Sequence, residues 1–273
     1  MLLQWTLEAK KWQLLVKPIA PISMFTALSA IFRGISFSMA TPNRLGEFAG
    51  RIIFLPNGKR LAGTSLTFIG NFAQLIVTLL FASASLFLIQ PFFIATNSSA
   101  ILLKLTFLFQ CTVPFLTLIC LVIYFKLGSA FEYLFSFSIM KKVKSRLMLL
   151  EQLPAHILLR VLFLSILRFC IFIVQYFLFF QLTKVSISLY DTTVSISVMF
   201  LWLAILPTIA FLELGVRWQF ALILLGGLSS NRLGISIAVT AIWFINLIVP
   251  ALLGIFSVFR LNGENPSTYD EKL

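Results

Sequence analysis

The sequence predicts an all-α fold: a polytopic transmembrane helical bundle with re-entrant or broken helices and an inverted repeat. Three observations carry this. Of 273 residues, 60% are hydrophobic and only 11% charged, whereas a soluble domain needs about a quarter of its residues charged to coat its surface. No Asp, Glu, Lys or Arg occurs between Arg60 and Lys104, Lys104 and Lys126, Asp191 and Glu213, or Arg232 and Arg260. A helix crosses the hydrocarbon core with about 20 apolar residues, and several of these windows suffice. The runs are continuously apolar rather than alternating, which argues against a β-barrel.

Taken in order, Thr64 to Ile89 is the clearest span. Pro91 to Ser99 reads as a short loop, and Ala100 to Phe125 as a second span. Lys126 to Gln152 is an amphipathic basic connector with Lys141, Lys142, Lys144 and Arg146. Pro154 suits the first turn of a helix, and Ala155 to Thr183 gives a third span. Tyr190 to Ala210 is a fourth apolar stretch, interrupted by Pro207, and Trp218 to Leu228 is too short to cross. Gly234 to Val258 is the last span, with Pro250 as an expected kink. Residues 1–259 thus form one integral membrane domain, and residues 260–273 a polar tail.

Basic residues orient the chain. The N-terminal segment, the stretch Arg44 to Arg60 and the connector Lys126 to Gln152 hold twelve Lys or Arg. The positive-inside rule places them on one, cytoplasmic, side. That requires Ile22 to Thr41 to enter and leave by the same face, as a hairpin turning near Arg33-Gly34. The net charge of +12 then marks these loops and anionic lipid rather than nucleic acid. Cys111, Cys120 and Cys170 lie in apolar runs without a CxxC or a His cluster, and read as small core residues rather than a disulfide or metal site. No cleavable leader is expected, because Lys10, Lys11 and Lys17 interrupt the first 17 residues.

Polar groups within the apolar runs are the candidate functional residues. Thr67, Asn71, Gln74, Thr78 and Ser85 recur on one helical stripe, which either bonds to neighbouring helices or lines a substrate path. Arg160 and His156 lie near an aqueous boundary. Arg168 sits about four turns into its span and needs a partner or an anionic ligand; Glu47 and Glu213 are its expected partners. Two segments share a pattern: Pro42-Asn43-Arg44-Leu45-Gly46-Glu47 running on to Arg51, and Leu206-Pro207 running on to Glu213-Leu214-Gly215-Val216-Arg217. Proline breaks the helix and glycine lets backbones approach. The first would enter from the cytoplasm and the second from outside, as in an inverted repeat with a site between its halves. The simpler reading is two helix caps with local Arg–Glu pairs. The candidate substrate-binding set is therefore Pro42, Arg44, Glu47, Arg51, Asn71, Gln74, Arg168, Glu213 and Arg217.

These segments resemble the transmembrane-region family of lysylphosphatidylglycerol synthases, a flippase-like domain that also occurs without the synthase. The similarity lies in Lys11-Trp12-Gln13-Leu14-Leu15, Pro42-Asn43-Arg44-Leu45-Gly46-Glu47, Gly70-Asn71-Phe72, Leu206-Pro207 and Glu213-Leu214-Gly215-Val216-Arg217, and extends to about Phe259. Three departures stand out. Members usually carry one or two further membrane segments before the Trp motif, so the chain is expected to be short at its N-terminus or to start at an internal Met. Many carry an acidic residue where Trp218 stands, which shifts weight to Glu213. About fourteen residues follow Phe259, too few for a soluble aminoacyl-transfer domain.

The resemblance implies a bacterial cytoplasmic-membrane protein that moves an amphipathic lipid between leaflets. Arg44, Arg51, Arg168 and Arg217 would meet an anionic headgroup, with Glu47 and Glu213 holding those guanidiniums or meeting a cationic one. Its partners would be anionic or amphipathic membrane lipids, with no nucleic acid and no cofactor. A nucleotide-binding motif is absent, so ATP coupling within the chain is not expected. Two alternatives stay open. One is a membrane-embedded lipid- or glycan-transferring enzyme, for which Glu47, Asp191 and Glu213 are available without a paired acidic motif. The other is a scaffold for a membrane or soluble enzyme that docks on the basic connector.

Overall fold

A computed structural model describes residues 1–95, 100–126, 153–207 and 209–261. The polar tail from 262, most of the basic connector (127–152) and the tip of the loop at 96–99 lie outside the described residues. Among those described, the chain is helical without a strand: α1 (Leu2–Val16), α2 (Met24–Met39), α3 (Gly46–Ile52), α4 (Arg60–Ala95), α5 (Ala100–Phe125), α6 (Ala155–Leu182), α7 (Leu189–Ile205), α8 (Ala210–Leu225), α9 (Arg232–Trp243) and α10 (Val249–Leu261). Four helical stretches are long and apolar enough to cross a membrane: Asn57–Leu88, Phe107–Phe125, Ala155–Leu182 and Arg232–Phe256. The protein is an all-α membrane bundle.

Helix starts follow local chemistry. Ser23 Oγ accepts from Thr26 N at the head of α2. Ser188 Oγ accepts from Asp191 N at the head of α7 and donates to the Asp191 carboxylate at 2.6 Å, closing a cap that satisfies orphan amides. Asn231 Oδ1 accepts from Gly234 N, while its Nδ2 donates to Thr183 O and Lys184 O. One side chain thus starts α9 and ties it to the loop after α6.

That bond, with the antiparallel packing of the spans, defines two ends. Lys17, Lys59, Arg60 and the Lys126 end of α5 gather at a basic end, where Tyr124 Oη donates to Leu158 O at 3.1 Å. The α6–α7 and α8–α9 loops form the opposite end. Helix α1 runs antiparallel to α6: Gln4 meets Gln175, and Glu8 meets Arg168. Its first turns therefore lie deep beside α6, and Lys11 is only 1% exposed. The N-terminal segment, expected on the cytoplasmic side with the other basic stretches, thus carries Glu8 and Lys11 inside the bundle. An apolar face with Ala9, Trp12, Leu15 and Val16 fixes α1 in the core.

The hairpin expected within residues 22–41 is not there: those residues hold a single helix, and the chain turns back only after it, so that α2 and α3 together form the hairpin. α2 continues through Arg33-Gly34 as one helix of 16 residues, with the buried Arg33 guanidinium 4.5 Å from the Phe54 ring centre. The chain reverses at Thr41–Leu45, a single 3-10 turn in which Arg44 has φ 58°. Non-glycine residues seldom take this left-handed conformation. Thr41 Oγ1 accepts from Gly46 N at 2.7 Å and secures the return into α3. The two arms are pressed together along glycines. A Cβ on Gly46 would lie 2.2 Å from Phe37 O, and one on Gly50 2.5 Å from Gly34 N.

The second break lies where Leu206-Pro207 predicts it. α7 ends at Ile205 and α8 runs back to the end from which α7 came, so α7 and α8 form a second hairpin entering from the opposite end. Gly215, however, has open space around it and mediates no close approach. Two further differences follow. α4 passes through Pro91 to Ala95, which shortens the loop expected from Pro91. The last span changes register at a π turn, Phe244–Ile248, just before Pro250. The three cysteines are free, but only Cys120 is buried; Cys111 and Cys170 face outward among exposed apolar side chains.

Candidate functional site

The two hairpins meet at their tips. Arg44, at the turn between α2 and α3, donates through Nη2 to both Glu213 carboxylate oxygens at 3.0 and 2.9 Å. Glu213, in the first turn of α8, also accepts from Arg217 Nε at 3.0 Å. The Arg217 Nη1 donates in turn to Tyr176 Oη on α6 at 2.8 Å. A small apolar cluster of Ala210, Trp243 and Leu247 packs with Ile35 and Met39 beside this junction. The helix-breaking residues therefore place one carboxylate between two guanidiniums that come from opposite ends of the chain.

A second ion cluster is centred on Glu8, which is 2% exposed. Its Oε2 lies 2.7 Å from Lys11 Nζ and accepts from Arg168 Nη1 at 2.7 Å. Its Oε1 accepts from Arg51 Nη2 at 2.9 Å. Arg51 also pairs with Glu47 one turn away on α3. Lys11 and Arg51 are as buried as Glu8. Removing such charges from water is costly, and it is offset only where each finds good hydrogen-bonding partners. Arg168, with its Cζ 5.5 Å from the Phe172 ring centre, keeps partial access, as does Glu47.

Between the clusters runs an amide network. Gln175 Oε1 accepts from Gln4 Nε2 at 2.9 Å and from Asn246 Nδ2 at 3.0 Å. Asn246 sits in the π turn, whose wider winding turns that side chain inward; π turns of this kind recur at functional sites.

Both clusters and the network border one cavity of about 730 Å³. Of the residues the sequence marks as substrate-binding, Arg44, Glu47, Arg51, Asn71, Gln74, Arg168, Glu213 and Arg217 line it. Pro42 does not; it is exposed and shapes the turn. From the polar stripe on α4, Asn71, Gln74 and Thr78 face the cavity, and the buried Gln74 Oε1 has no partner there. Thr67 and Ser85 are buried elsewhere along the helix. The expected pairing of Arg168 with Glu47 or Glu213 is corrected: its partner is Glu8. Sequence reasoning missed Glu8, Gln4 and Asn246. The available signal was a carboxylate on a helix whose Trp5, Trp12 and Leu15 mark a core-facing side.

The cavity wall is not polar all round. Phe169, Phe172, Phe200 and Leu203 form one side, and Leu75 with Ala204 to Pro207 form an exposed apolar edge. Leu75 lies near the middle of α4, the longest helix. Apolar side chains exposed at that depth of a membrane helix face hydrocarbon rather than water. The site thus combines ionic and amide walls with a lateral apolar rim. No family model, curated protein or solved structure matches the chain.

Proposed function

We propose that this membrane bundle binds an amphipathic lipid and moves it between leaflets, sheltering the headgroup in the cavity while the acyl chains stay in the bilayer through the apolar rim. One observation carries the reading: a cavity of about 730 Å³ is lined by two ion clusters and an amide network and also reaches exposed apolar residues, Leu75 and Ala204 to Pro207. Ligands entering from water need no such rim, and wholly apolar ligands need no such interior. Charged groups inside a membrane bundle are costly to maintain and mark substrate pathways.

Two further features support transport over catalysis. The site forms between the tips of two broken-helix hairpins that enter from opposite ends, an arrangement suited to rocking one hairpin against the other. Each carboxylate in the cavity is ion-paired, which suits holding guanidiniums more than abstracting a proton. The resemblance to the flippase-like region of lysylphosphatidylglycerol synthases implies the same class of activity and a bacterial cytoplasmic membrane. With the basic end cytoplasmic, the α2–α3 hairpin enters from inside and the α7–α8 hairpin from outside, as an inverted repeat requires.

The test is a leaflet-exchange assay in proteoliposomes. Wild type is expected to accelerate exchange over empty vesicles, and Glu47→Gln and Arg168→Ala to reduce it severalfold. Equal exchange in all three proteins refutes the proposal.

A further inference from the structure

Deepening the lipid reading, on which it rests, we infer that the headgroup is a phosphate carrying two negative charges, held between the two ion clusters. The charge balance of the clusters points to such a ligand. Around Glu8, the cations Lys11, Arg51 and Arg168 face the carboxylates Glu8 and Glu47. Around Glu213, the cations Arg44 and Arg217 face one carboxylate. Each cluster is left with one positive charge in excess. Asp191, the remaining acidic residue among those described, caps α7 at the opposite end and does not line the cavity.

Excess charge within a membrane bundle marks a place where a ligand of opposite sign can complete it, and Arg44 and Arg168, with side chains 46% and 22% exposed, are the cations open to one. The surplus is spread over both sides of one space, not concentrated on one residue. Arg168 and Tyr176 are eight residues apart on α6, roughly 12 Å along the helix, and Arg217 is bonded to Tyr176. Guanidiniums from both levels line the same cavity and can approach a phosphate or diphosphate group from two sides. Donors remain available: Arg51 Nε and Arg168 Nε are buried without a hydrogen-bond partner. Guanidinium forks match phosphate oxygens in geometry and charge. The amides of Gln4, Asn71, Gln74 and Asn246 add neutral hydrogen bonding for the rest of a polar headgroup.

The experiment measures lipid binding to the full chain in nanodiscs at pH 8, where a phosphomonoester is doubly charged. The probes are phosphatidic acid, phosphatidylglycerol and phosphatidylcholine, with inorganic phosphate and inorganic diphosphate as soluble competitors. Phosphatidic acid is expected to bind about tenfold tighter than phosphatidylglycerol, the size of gain that an added charge-assisted contact brings. Arg168→Gln and Arg44→Gln should each remove that preference. Neither strands a carboxylate, since Glu8 keeps Lys11 and Arg51, and Glu213 keeps Arg217.

Weak competition by the soluble anions assigns the site to a lipid; full displacement at equal concentration assigns the same dianion chemistry to a soluble ligand. Equal wild-type affinity for the doubly and singly charged lipids overturns the inference, and that comparison needs no variant. The two proposals also fail separately. Exchange that ignores headgroup charge removes this one and leaves transport. Selective binding without exchange removes transport and leaves the dianion site.

Discussion

Glu8 is the residue on which most of the buried charge depends. It touches Lys11, Arg51 and Arg168 at 2.7 to 2.9 Å, so Glu8→Gln leaves three cations around a neutral amide. Breaking a buried ion pair by removing one partner costs about 3–5 kcal/mol, and a large fall in the thermal midpoint of the purified protein is expected. Glu47→Gln should cost clearly less, because Arg51 keeps Glu8. A midpoint for Glu8→Gln equal to that of Glu47→Gln would contradict this ranking. The contrast also shows what single residues disclose in a sequence. Arg168 declared its need for a partner by its depth in an apolar run. Its partner did not, because Glu8 lies in a segment whose lysines read as surface charge, and only the antiparallel docking of α1 on α6 brings the two together.

At the scale of elements, the helix breaks were legible and their packing was not. Pro42 and Pro207 mark both hairpin tips, whereas Arg33-Gly34, which reads as a turn in the sequence, lies inside α2. There, glycine serves as a platform for α3 rather than as a bend. The spacing Gly46-x-x-x-Gly50 is the signal for that platform, since small residues at this interval let helices approach closely in membranes. Gly50→Ala would force a methyl to within 2.5 Å of Gly34 N. Such overpacking costs about 1–3 kcal/mol or more, and a lowered midpoint with weakened exchange is expected. Gly215→Ala meets nothing within 4 Å and should be neutral or stabilise by up to about 1 kcal/mol through helix propensity. Equal destabilisation by both changes would show that the seam is not where the glycines place it. The amide network offers a second check. A double-mutant cycle on Gln175→Leu and Asn246→Leu should return a coupling of about 0.6 kcal/mol, the usual size for such bonds in membranes; zero coupling would mean that the π turn does not aim Asn246 at Gln175.

The whole molecule is a bundle whose polar interior is assembled from both ends of the sequence: α1, α2 and α3 on one side, α6, α8 and the α9–α10 turn on the other. Composition and the charge-free windows disclosed the membrane class, because bilayer thickness acts on sequence length directly. They could not disclose the cavity, which depends on contacts between residues far apart in the sequence, such as Gln4 and Gln175, separated by 171 positions. The arrangement makes a topological prediction. In a background lacking Cys111, Cys120 and Cys170, single cysteines replacing the exposed Lys59 and Lys126 should react with an impermeant thiol reagent from one side. One replacing the exposed Lys184 should react from the other. Labelling of all three from one side would contradict the crossing pattern.

Entry of a lipid headgroup into the space between the clusters can be seen by photo-crosslinking in native membranes. A benzophenone amino acid is placed at Phe172, which lines the cavity, and separately at Phe163, which is 64% exposed on the outer face of the same helix. Lipid adducts at both positions are predicted, with those at Phe172 enriched in phosphate-bearing headgroups relative to the bulk composition seen at Phe163. Lipid adducts at Phe163 together with none at Phe172 would contradict the account.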